Sequence, residues 1–171
     1  MQRRAFLVFT VSSASLALLS LNGCGFALRK APEFAFSTLY SPLPETSPLG
    51  VELRRSLQST GRVRVISDAS LINQAQVVLE VLQEQREKVV LSLTSAGQVR
   101  EYQLRLVFRF RLRTLAGKEL IPPSEIALQR DISFNESAAL AKEAEEALLY
   151  RDMQGDVVQQ VVRRLAAVTS L

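Results

Sequence analysis

Between Arg100 and Arg113 the chain alternates without a break. Tyr102, Leu104, Leu106, Phe108, Phe110 and Leu112 fall on one side; Glu101, Gln103, Arg105, Val107, Arg109, Arg111 and Arg113 fall on the other. A period of two marks a β-strand with one buried and one wet face. At about 3.3 Å per residue, roughly 14 residues reach about 45 Å, far beyond the usual strand of about 5–6 residues. The sheet must therefore be elongated, and whatever covers its dry face must be long too.

The C-terminal segment supplies such a cover. Asn135 or Ser137 caps a helix from about Ala138 to Ala167, about 45 Å long at 1.5 Å per residue. Leu140, Ala144, Leu148, Val158, Val161, Val162 and Leu165 form its apolar face, widened by Leu149, Met153 and Val157, with Gly155 as a weak point. Upstream, Ser47-Pro48 opens a shorter helix, Leu49, Leu53 and Leu57 line it, and Gly61 closes it. Strands are expected at Phe34–Tyr40, at Arg62–Ile66 and from Gln76 onward. In the last of these, Val77, Leu79 and Val81 share a face. Val89, Leu91 and Leu93 are expected to continue it beyond a polar middle, Gln83 to Lys88, that can bulge. Ser95-Ala96-Gly97-Gln98 reads as a hairpin turn, as does Ala116-Gly117-Lys118. Pro122-Pro123 is expected to stop a strand, and Ile126, Leu128, Ile132 and Phe134 mark the last one. With one wet sheet face, both helices belong on the other. The fold expected is α+β, a two-layer sandwich.

The N-terminus carries a different signal. Met1-Gln2-Arg3-Arg4 precedes an apolar stretch from Ala5 to Leu21, and Asn22-Gly23-Cys24-Gly25 follows. A charged start, an apolar run and a small residue before a cysteine are the layout of a cleavable export signal. The run of roughly 17 residues is marginal for a bilayer core, which needs about 20. Residues 1–23 are therefore expected to be removed, leaving Cys24 lipidated and residues 24–171 as one domain. Arg3-Arg4 also resembles a twin-arginine export signal. Gly25 after the cysteine suggests the outer membrane.

Composition narrows the function classes. Cys24 is the only cysteine, so no internal disulfide is possible, and there is no histidine, which removes the commonest general base and metal ligand. No G-x-S-x-G stretch or phosphate loop occurs, and no carboxylates cluster with the spacing of a metal site. No cofactor and no nucleic-acid partner are expected. Glu143, Glu145 and Glu146 begin a helix, where they complement its dipole. Tyr102 and Phe110 read as core side chains.

Several short motifs resemble one family. Cys24-Gly25-Phe26-Ala27-Leu28-Arg29, Glu101-Tyr102-Gln103-Leu104, Leu140-Ala141-Lys142-Glu143-Ala144-Glu145, Asp152-Met153 and Arg163-Arg164-Leu165 are similar in order and spacing to those of the lipopolysaccharide-assembly lipoproteins, the LptE family. The resemblance implies two helices packed on one face of an elongated four-stranded mixed sheet. It also implies a non-enzymatic subunit seated as plug and assembly partner inside the LptD-type β-barrel of the outer membrane, helping to deliver lipopolysaccharide to the outer leaflet. Lys142 is the residue that the resemblance links to lipopolysaccharide. Arg100 stands near the hairpin tip, where Ser95 replaces a basic residue of the family. Arg105, Arg109, Arg111 and Arg113 on the wet face are candidate contacts to a polar barrel lumen. The alternatives are a periplasmic lipoprotein adaptor of another envelope transport complex and, less well supported, an envelope enzyme.

Overall fold

The computed structural model describes residues 32–171. The leader, Cys24 and the motif from Cys24 to Arg29 lie outside the described residues. Five strands form one mixed sheet in the order β2-β1-β3-β4-β5: β1 (Thr38–Tyr40), β2 (Arg64–Ile66), β3 (Val77–Leu93), β4 (Val99–Thr114) and β5 (Glu119–Ser133). The strand β1 runs parallel to both of its neighbours, whereas β3, β4 and β5 are antiparallel. The four strands implied by the resemblance are thus corrected to five among the described residues, matching the five segments that read as strands. Both helices, α1 (Pro48–Gln58) and α2 (Ala139–Ala166), lie on one side of the sheet.

Local chemistry explains the elements. Ser47 caps α1, its Oγ accepting from Gly50 N at 3.2 Å, with Pro48 in the first turn. The helix ends at Gln58, and Gly61 follows at φ 67° with its N–H on Gln58 O. Leu49, Leu53 and Leu57 are buried, as their spacing requires. The β3–β4 hairpin closes through Gly97 at φ 80°, a conformation that glycine adopts without a Cβ clash. Asn135 caps a short 3-10 turn, Glu136–Ala138, and the chain enters α2 directly from it. Gly155 leaves α2 unbroken.

The core is the dry face of β4 with what packs against it. Leu104, Leu106, Phe108, Phe110 and Leu112 are wholly buried, along with Leu79 from β3 and Met153, Val157, Val161 and Leu165 from α2.

Three expectations are corrected. First, β5 runs straight through Pro122 and Pro123. It is an edge strand, and its register slips there: Phe110 pairs with Ser124, but Leu112 with Ile121. A bulge on an edge is where the missing N–H of proline does least harm. Second, β3 bulges at Leu82. Val81 pairs with Phe110 and Gln83 with Arg109. Directly paired residues share a face, so Val89, opposite Gln103, moves to the wet side, while Glu84, Arg86 and Lys88 turn toward the helices. Further bulges follow at Leu91 in β3 and at Arg100 in β4. Third, the apolar face of α2 is buried only in its C-terminal half. Leu140 is 83% exposed and Leu148 54%, and Ala144 is exposed too. The reason is length. At 1.5 Å per residue α1 spans about 16 Å and α2 about 42 Å, so α1, which stands beside Arg151–Asp156, is too short to cover all of α2.

Candidate functional site

The far end of the sheet, beside the start of α2, gathers the sequence-predicted Lys142 with residues from three strands. The capped turn at Asn135 sets the first turns of α2 over the end of β5. There Lys142 Nζ donates to Ser133 Oγ at 3.1 Å and to Glu145 Oε2 at 2.8 Å. Its side chain is only 21% exposed. Below it lies a cavity of about 180 Å³ lined by Lys88, Lys142, Tyr102, Phe134, Glu143 and Glu146 among others. Phe134 meets the Tyr102 ring edge-on, with centroids 5.3 Å apart. Tyr102 is therefore part core and part cavity wall, unlike Phe110, which is wholly buried.

Lys88 is the residue that sequence reasoning missed. An unbroken alternation would put it on the wet face; the Leu82 bulge turns it inward, opposite Leu104. Its Nζ lies 2.7 Å from Glu146 Oε2 and 4.3 Å from the centroid of the Tyr102 ring. The hydrogen bond to Glu146 raises its pKa, so Lys88 stays charged. Two ammonium groups thus flank one cavity with aromatic and aliphatic walls, each paired with a solvent-accessible carboxylate. Such a site can take an anionic group attached to an apolar body.

Arg100 reaches the same end of the molecule through its backbone. Its carbonyl accepts from Phe134 N at 2.8 Å, and the side chain stands exposed in the β4 bulge. Ser95 is exposed at the tip.

The four candidate barrel contacts lie apart from this cavity, on the open face of the sheet. Glu80 in β3 bridges two of them, its carboxylate 2.5 Å from Arg111 Nε and 2.5 Å from Arg113 Nε. Those bonds, Arg113 first, hold the Glu80 carboxyl below the usual carboxylate range. Arg109 Nε sits 3.7 Å from Glu125, and Arg105 Nε donates to Gln103 Oε1 at 2.7 Å. Gln103 in turn donates to Asp131, and Gln83, Gln85 and Glu87 form a second hydrogen-bonded row on β3. The open face is therefore an ordered polar ladder whose arginines are already matched. Glu80 as their clamp was hidden in the sequence by the register of β3.

Among the described residues no helix is long and apolar enough to cross a membrane, and no cluster of three His, Cys, Asp or Glu could hold a metal ion.

Residues 36–165 match the sequence model of the family described as LptE: Lipopolysaccharide-assembly. A protein of Pectobacterium atrosepticum named LPS-assembly lipoprotein LptE is 30% identical over 156 residues, covering 90% of this chain and 82% of that protein. Its namesake in Yersinia enterocolitica is 31% identical over 157 residues, covering 90% and 73%. Among solved structures, an uncharacterized lipoprotein B from Nitrosomonas europaea superposes with a TM-score of 0.70 at 36% identity, covering 85% of this chain and 92% of that one. The rare lipoprotein B from Shewanella oneidensis gives a TM-score of 0.61 at 26% identity, covering 77% and 92%.

Proposed function

The chain belongs to the LptE lipopolysaccharide-assembly family, and on that premise we propose that it is a non-enzymatic outer-membrane lipoprotein, anchored through Cys24. In this reading it sits inside an LptD-type β-barrel as plug and assembly partner and helps deliver lipopolysaccharide to the outer leaflet. The observation that carries the reading is the shape and chemistry of the sheet. The strand β4 has 16 residues, about 50 Å at about 3.3 Å per residue, which exceeds a bilayer core of about 30 Å. One face carries the helices, and the other is a ladder of Arg, Gln and Glu side chains. A polar barrel lumen is the environment such a face fits. Arg105, Arg109, Arg111 and Arg113 contact the lumen wall in this arrangement, while Lys142 and Arg100 stand at one end to meet phosphates and carboxylates of lipopolysaccharide.

Recovery of the tagged lipoprotein from membranes in mild detergent tests the assembly. An outer-membrane β-barrel should come with it, and its absence would sink the reading. Lys142→Ala should weaken lipopolysaccharide binding several-fold, within the range of one charged hydrogen bond, and leave the barrel complex intact. Unchanged binding would reduce Lys142 to a helix-surface lysine paired with Glu145.

A further inference from the structure

Two cavities meet at Lys88. One is the space beneath Lys142. The other, about 690 Å³, runs between the edge of β3 and α2 and is lined by Arg86, Tyr150 and Arg151. Lys88, Glu143 and Glu146 border both. The free edge of β3 is closed here by a side chain: the Tyr150 hydroxyl donates to the Glu87 carbonyl at 2.7 Å. Arg86 stacks over the Tyr150 ring at 5.4 Å. Lys88 thus sits at the junction with its ammonium steered by a fixed aromatic face, while its carboxylate partner stands on the opposing helix. The pair is reachable by water, with side chains 36% and 24% exposed. An exposed ion pair of this kind contributes little to stability, so an anion with more charge and more oxygens than a carboxylate can replace it.

We propose that Lys88 is a second ligand-contacting cation of this chain, binding a phosphate of lipopolysaccharide in place of the Glu146 carboxylate while Tyr102 keeps the ammonium at the cavity. The proposal rests on the lipopolysaccharide reading of Lys142, because one cavity joins the two lysines. Glu146 then acts as a resident counter-ion: it occupies Lys88 until ligand arrives and competes with the ligand for it. Arg86 and Arg151 extend the positive wall along the second cavity.

Two substitutions carry opposite signs, read as lipopolysaccharide affinity of the full lipoprotein in mild detergent. Lys88→Gln should weaken binding about tenfold, the weight of one charge-assisted hydrogen bond at a half-exposed site. Glu146→Gln should tighten it several-fold by removing the competitor. If the pair were only a structural tie, either change would break it, and both would shift binding the same way or not at all; that result overturns the proposal. Dephosphorylated lipopolysaccharide should bind wild type and Lys88→Gln alike, and a persistent difference overturns the phosphate assignment. Wild-type protein that retains no lipopolysaccharide removes the Lys142 reading and this one together. Binding that Lys142→Ala weakens and Lys88→Gln leaves unchanged overturns the role of Lys88 alone.

Discussion

The two ends of the long sheet share three strands and one helix, with β1, β2 and α1 added only at the near end, and they are held by different forces. At the near end, Leu79, Phe110 and Leu112 are dry beneath α1 and the C-terminal half of α2. At the far end, α2 is joined to the sheet by Lys88 to Glu146, Lys142 to Ser133, and Tyr150 to the carbonyl of Glu87. Leu93, Val90 and Leu140 there face water at 57%, 47% and 83%. Apolar burial contributes roughly 25 cal/mol per Å² and is not exchangeable; exposed ion pairs contribute about 0–1 kcal/mol each and are. Apolar burial is densest at the near end, though Leu104 and Ile132 carry it toward the other, and the polar ties of the far end are the contacts that can be traded for a partner or ligand.

The sharpest way to break that contrast is a matched pair of truncations. Phe110→Ala should cost about 3–5 kcal/mol in guanidinium unfolding, through lost burial plus the cavity left behind. Val90→Ala, on the same face but at the far end, should stay within about 0.5 kcal/mol. Equal losses would show that the core extends along the whole sheet.

A smaller effect is expected at Glu80, which fastens Arg111 and Arg113 on the open face. Glu80→Gln should cost about 1 kcal/mol at neutral pH, after discounting two charge-assisted bonds for the water around both arginines. The sign of its pH dependence follows from the lowered carboxyl pKa. A carboxylate held below its unfolded value of about 4.3 contributes above that pH and ceases to contribute as pH falls through the folded value. The gap between wild type and variant should therefore close below about pH 4. A gap that stays constant from pH 7 to pH 3 would mean that the carboxylate is not what the arginines hold.

How far the sequence revealed this arrangement depended on bulges. The strand β4 was fully legible, because its dry residues never leave register with themselves. The helices were legible too, from Ser47-Pro48, from Asn135 and from their leucine spacing. The strand β3 was legible as a strand but not as a surface: one extra residue at Leu82 exchanges its two faces, and nothing in Gln83 to Lys88 marks where the slip falls. Lys88 was therefore invisible as the partner of Glu146; Glu80, ahead of the slip, falls on the wet face, but its pairing with Arg111 and Arg113 depends on the cross-strand register. The proline pair in β5 misled for a related reason, since the rule against proline in strands lapses at an edge bulge. The row Leu140, Ala144 and Leu148 misled because periodicity shows which residues share a face but not how far the covering element extends. The expectation that Cys24 carries the anchor rests on the sequence alone, because Cys24 lies outside the described residues.

That last row offers the finest test of the contrast. Leu140, Ala144 and Leu148 lie in the exposed N-terminal half of α2, and α1, 11 residues long, is too short to cover all 28 residues of α2. If burial ends where α1 ends, Leu140→Gln removes no packed side chain and should shift the unfolding free energy by less than about 0.5 kcal/mol. Hydrogen exchange should show the same boundary within one helix. Amides from Met153 to Leu165 should open only with global unfolding, while those from Lys142 to Leu148 should open locally and exchange sooner. Uniform protection along α2 would mean that the polar ties of the far end hold the helix as firmly as the core does, and the division of the sheet into a stabilising end and an exchangeable end would fail.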